Sequence, residues 1–62
     1  TMTRKDARAI SKDIDTLCNP RITGLRRYGR GDWAIEAVDT ITGYPFVIRS
    51  RDDWDERLAR TN

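Results

Sequence analysis

The stretch Asp32–Ser50, DWAIEAVDTITGYPFVIRS, leaves a chain of 62 residues few ways to fold. Trp33, Ile35 and Ala37 alternate with Ala34, Glu36 and Val38, and further on Tyr44, Phe46 and Ile48 alternate with Pro45, Val47 and Arg49. A period of two in β-branched and aromatic residues is the pattern of a strand with two unlike faces. Between the runs lies Asp39-Thr40-Ile41-Thr42-Gly43. An aspartate that can accept from turn amides, followed by a glycine that tolerates positive φ, suits a type I turn closed by a glycine bulge. The stretch therefore predicts an antiparallel hairpin. Pro45 has no amide proton for a ladder, so it belongs on an edge strand or at a strand's first position.

The two faces of this hairpin differ. Trp33, Ile35, Phe46 and Ile48 make the heavier one, which should meet the core. The other carries Ala34, Val38 and Val47 together with Glu36 and Arg49, an opposite-charge pair expected to meet across the strands.

The segments on either side read as helices. Thr3-Arg4-Lys5-Asp6 has the form of a capping box, and Ala7, Ile10, Ile14 and Leu17 follow as one apolar stripe. Asn19-Pro20 should end this helix, with asparagine as a left-handed cap, so it is expected over about Arg4 to Cys18. Ser50-Arg51-Asp52-Asp53 repeats the capping logic for a second helix, near Arg51 to Arg60. Trp54 and Leu58 form its apolar stripe. Asp53 with Arg57, and Glu56 with Arg60, are acid-before-base pairs at i,i+4. Arg21–Arg30, RITGLRRYGR, reads as a first strand kinked by a bulge at Gly24, with Gly29-Arg30-Gly31-Asp32 turning into the second strand.

The expected fold is thus α+β: helix–strand–strand–strand–helix, a three-stranded antiparallel meander with both helices on one face, in a single small domain over residues 1–62. That element order is similar to double-stranded-RNA-binding domains, and the resemblance implies a basic nucleic-acid surface. In those domains the last helix opens with lysines, whereas here it opens with Arg51-Asp52-Asp53, which would repel phosphate.

Composition narrows the function classes. A chain this short buries only about 60% of its unfolded surface, and small scaffolds commonly need a disulfide, a metal or a second chain. Cys18 is the only cysteine and there is no histidine, so an internal disulfide and Cys/His zinc sites are excluded. No metal and no cofactor is expected, and a homodimer is the remaining staple. No run approaches the roughly 18 apolar residues of a membrane span, and no leader is visible, so a cytoplasmic protein without membrane contact is expected. Thr1 ahead of Met2 reads as a cloning remnant, with Met2 the expected native start of a complete small protein. Ten arginines against two lysines hint at a GC-rich genome, such as an actinobacterium or one of its phages.

The candidate sites follow from these readings. Arg21, Arg26, Arg27 and Arg30, with Tyr28 among them, form a basic strand suited to nucleic acid or an acidic partner; a solvated strand balancing the acidic last helix is the plainer reading. Leu25, Ala34, Val38 and Val47 would make an apolar patch on the open sheet face, suited to a protein partner or a second copy. Asp52, Asp53, Asp55 and Glu56 are better explained as helix-start acids and arginine partners than as a metal site. Arg30-Gly31-Asp32 matches an integrin-recognition tripeptide, a match common by chance. Cys18 has no base near it in sequence and no glycine-rich phosphate loop is present, so catalysis and a small-molecule substrate are not expected. The favoured function is a non-enzymatic protein-interaction module, a regulator or inhibitor of a larger partner, with nucleic-acid binding through Arg21–Arg30 as the alternative.

Overall fold

A computed structural model of the chain describes residues 2–61. Helix α1 (Arg4–Asp15) is followed by strands β1 (Arg21–Gly29), β2 (Asp32–Val38) and β3 (Pro45–Ile48) and by helix α2 (Arg51–Thr61). The strands form one antiparallel sheet in the order β1-β2-β3. This is the α+β meander with two helices that the patterning predicts.

The core lies between the helices and one face of the sheet. Ala7, Ile10 and Ile14 of α1, Ile35 and Ile48 of the sheet and Trp54 of α2 form one buried cluster with Met2, and Ile22, Trp33 and Phe46 pack against it. Both helices therefore cover the tryptophan-bearing face. Met2 is fully buried, and its carbonyl accepts from the Trp33 amide at 2.8 Å. It precedes the cap Thr3, while Ala7 sits four residues past that cap. This is the spacing of a hydrophobic staple, in which the two side chains fix how the chain enters the helix.

Local chemistry sets the element ends. The Thr3 hydroxyl accepts from the Asp6 amide at 3.1 Å. Helix α1 stops at Asp15, three residues before the expected Cys18. The Thr16 hydroxyl takes the Asp13 carbonyl at 2.7 Å, and the Leu17 amide reaches the Ile14 carbonyl at 2.9 Å. Those bonds tighten the last turn and close the helix. Leu17 consequently leaves the buried stripe and is 44% exposed. Asn19 does not serve as a left-handed cap, since no described non-glycine residue has positive φ. Its side-chain oxygen instead accepts from the Thr40 amide at 2.8 Å, tying the end of α1 to the β2–β3 turn.

That turn is built as expected. Asp39 accepts from the amides of Ile41 and Thr42 at 2.8 and 3.2 Å, the Gly43 amide bonds the Asp39 carbonyl at 2.8 Å, and Gly43 has φ of 79°. Pro45 opens β3, opposite Val38. The register of β1 shifts between Ile22 and Gly24, so the bulge falls where the glycine marks it, and shifts again between Arg27 and Gly29.

Two of the three expected charge pairings differ. Arg49 meets Asp32 at 3.9 Å rather than Glu36. Arg57 meets Asp39 at 3.5 Å rather than Asp53. Asp53 is occupied with capping: its amide donates to the Ser50 hydroxyl at 3.1 Å and its carboxylate accepts from the Arg49 amide at 3.0 Å. Glu56 and Arg60 do pair, at 2.7 Å. Among the described residues no helix is long and apolar enough to cross a membrane.

Candidate interaction surfaces

Antiparallel partners share a face of the sheet, so the register assigns each residue of β1. Leu25 pairs with Ile35, which puts it on the helix side and not in the open-face patch. Ala34 is on the open face but fully buried. Its one methyl lies on the central strand beside the longer side chain of its register partner Arg26. Of the four residues expected to form an apolar patch, Val47, 39% exposed, and half-buried Val38 remain on that face. Ala34 and Leu25 cannot present side chains to a partner there.

The apolar surface lies elsewhere. Leu17 from the end of α1, Ile41 from the β2–β3 turn, and Trp54 and Leu58 from α2 line a groove of about 650 Å³. Trp54 is buried at its floor, while Ile41 is 83% exposed at its lip. Arg57 bridges the groove to the hairpin: it pairs with Asp39 and its guanidinium lies 3.4 Å from the centroid of the Phe46 ring. The Asp39 carboxyl is held below its ordinary range, mainly by the Ile41 amide and then the Thr42 amide. Arg57 and Asn19 add to this while burial opposes it. The lip carrying Ile41 is therefore an internally bonded turn, anchored to α2 by Arg57 and to the α1 end by Asn19. The sequence signal for this groove was an isoleucine in the middle of a turn whose other residues are polar or glycine. Leu17 gave no such signal, because the helical stripe accounted for it.

The basic strand is divided. Arg21 pairs with Val38 at one end of β1, while Arg26 pairs with Ala34 and Arg27 with Trp33 toward the other. Arg26 is on the open face and Arg27 on the helix side. The Arg27 Nε donates to the Gly29 carbonyl at 3.2 Å, and its guanidinium lies 5.9 Å from the Trp33 ring, which Arg4 approaches to 5.8 Å. Around Tyr28 the structure gathers Arg26 at 5.5 Å and Arg49 at 4.2 Å from the ring centroid. Arg49 joins this group from the end of β3, which position in sequence did not suggest. Arg30 and Gly31 occupy the β1–β2 turn, where Gly31 has φ of 69°.

The acidic residues of α2 are spread among other tasks, with Asp53 capping and Glu56 paired to Arg60. Cys18 is an exposed free thiol. Compared with family models, with curated proteins and with solved structures, the chain finds no significant match.

Proposed function

We propose that this protein acts by binding another protein chain, as a small regulator or inhibitor, and that the groove between the α1 end, the β2–β3 turn and α2 receives it. The observation that carries this reading is Ile41, 83% exposed at the lip of an apolar groove whose floor is the buried Trp54. Ile41 stands outside the buried cluster, in a turn whose backbone is already held by Asp39 and Asn19. Burying such a side chain at an interface contributes roughly 1.5–3 kcal/mol. The exposed thiol of Cys18 favours a reducing, cytoplasmic setting.

The test has two arms. Sedimentation across concentration compares the wild type with Ile41→Asp for self-association. Affinity capture from the source cells supplies candidates, each then purified and titrated against both forms. Either a homodimer or a purified partner should lose affinity about tenfold or more in Ile41→Asp, with the fold intact because Ile41 is not part of the core. A chain that stays monomeric, and whose purified partners bind Ile41→Asp as tightly as wild type, would remove this groove as the site.

A further inference from the structure

The β1–β2 end of the sheet lies at the opposite end of β2 from the groove, and its open face has a different chemistry. β2 runs seven residues from Asp32 to Val38, about 23 Å at strand rise. Near Asp32 the open face carries Arg26, Tyr28 and Arg49; near Val38 the chain enters the groove turn. We propose that this basic end binds single-stranded nucleic acid, with phosphates at Arg26, Arg49 and Arg30 and a base on Tyr28. The site is separate from the groove and goes beyond the protein-binding reading.

Tyr28 is the centre of this end. Its side chain points out of a bulged strand end and the residue is 43% exposed. Two guanidiniums lie near its ring, Arg26 from the same strand at 5.5 Å and Arg49 from just past β3 at 4.2 Å. A guanidinium beside an aromatic ring keeps N–H groups for acceptors, and arginine's fork suits phosphate oxygens; a base stacking on Tyr28 takes the place of Arg49 over the ring, and Arg49 turns to a phosphate. The Arg49 side chain is 55% exposed, and its one acidic neighbour here, Asp32, is 3.9 Å away, a loose contact that a phosphate can displace. Arg30 is exposed in the adjoining turn. Glu36 is the other acid of this face. It pairs with Gly24 and Val47, so it sits toward the middle of the sheet, about two residues along β2 from Ala34. The Tyr28 end thus holds three arginines, with Asp32 beside the Arg49 side chain and the Asp53 carboxylate engaged by the Arg49 amide.

The choice of single strand over duplex rests on the same ring. An exposed aromatic among arginines recognises a base by stacking, which requires a base face that a duplex hides. The apolar stripes of both helices pack on the other face, and Asp53 at the start of α2 is occupied by the Arg49 amide and its own cap. An acidic protein would meet the arginines equally well but would gain little from the Tyr28 ring. Heparin, a polyanion without bases, stands in for such charge-only binding in the experiment.

The probe is a fluorescent oligothymidine of about ten nucleotides, with its duplex and heparin as competitors, followed by anisotropy at several salt concentrations. Binding is expected to weaken with salt with a log–log slope near −2, as about three neutralised phosphates on a single strand imply. Tyr28→Ala should weaken binding roughly tenfold, while Tyr28→Phe, which keeps the ring, should remain within about threefold of wild type. Arg49→Gln and Arg26→Gln should each flatten the salt slope by about 0.7. Lys12→Glu, a charge reversal near the C-terminal end of α1, should change affinity far less than Arg26→Glu. Each variant's fold is checked by circular dichroism, and Tyr28→Phe with Arg26→Gln suffices should Tyr28→Ala unfold. Absence of binding at low salt would overturn the proposal. So would duplex or heparin binding as tightly as the single strand, or Tyr28→Phe losing as much as Tyr28→Ala.

Discussion

Asp39 shows how much one side chain can hold together. Its carboxylate accepts from two turn amides and faces Arg57 of α2, and these contacts lower its pKa below the ordinary 3.8. Because the folded-state value is depressed, its stabilising contribution is complete above the unfolded value. That contribution is lost as pH falls through the folded one. Acid below about pH 4 should therefore loosen the turn and its link to α2. Asp39→Asn keeps an oxygen for the turn amides but removes the charge. Its unfolding midpoint in urea should consequently fall less between about pH 6 and pH 3 than that of the wild type. Equal acid sensitivity in the two proteins would show that Asp39 is not the group responsible.

Ser11 is a residue-scale irregularity of the opposite kind. Its hydroxyl is buried without a hydrogen-bond partner, on a helix where alanine has the better propensity. An unpaired buried hydroxyl costs about 1 kcal/mol or more. Ser11→Ala should stabilise the protein by about 1 kcal/mol, which for a domain of this size raises Tm by roughly 4–8 °C. A calorimetric scan decides it, and an unchanged or lower Tm would mean that the hydroxyl does find a partner in solution.

Among the elements, α2 depends most on a single anchor. It has 11 residues, and helices this short are marginal alone. Its caps and its Glu56–Arg60 pair are surface interactions, each worth a fraction of a kcal/mol. Among its described residues Trp54 is the one in the buried cluster; the Arg57 stack on Phe46 and the Asp39 pair add to it at the surface. Removing a buried tryptophan side chain costs about 3–5 kcal/mol. In Trp54→Ala, native-state hydrogen exchange should show Arg51–Thr61 unprotected while β2 retains protection. Loss of both together would show that α2 and the sheet are one cooperative unit. Strand β1 illustrates a different element-scale effect. One extra residue beside Gly24 moves every later side chain to the other face. Read without that shift, Leu25 belongs to the open face and Arg26 to the core side; with it, the assignments exchange.

At the scale of the molecule, a body of 33 × 19 × 17 Å carries two unlike ends joined by β2. One end is an apolar groove closed by a braced turn. The other is a tyrosine flanked by arginines on an uncovered sheet face. The first end was assembled by α1 stopping early, which released Leu17 toward Ile41. The second was assembled by β3 delivering Arg49 to Tyr28. The two ends differ in chemistry and share no residue, so the Ile41 and Tyr28 experiments report on separate surfaces.

The parts of this protein decided by sequence alone are those whose causes span four residues or fewer. The Thr3 and Ser50 caps, the Asp39–Gly43 turn, the alternation of β2 and β3 and the order of the elements all have short-range physical causes. Tertiary structure decided what depends on register and on where chain ends stop. It settled which face Leu25 and Arg26 occupy, that Ala34 is covered, which acid each arginine meets, and that Leu17, Ile41, Trp54 and Leu58 converge. A period of two fixes that side chains alternate, but a single bulge or an early helix end resets which neighbours they find. Energies of a fraction of a kcal/mol per surface pair are too small to decide those partners before the core has formed.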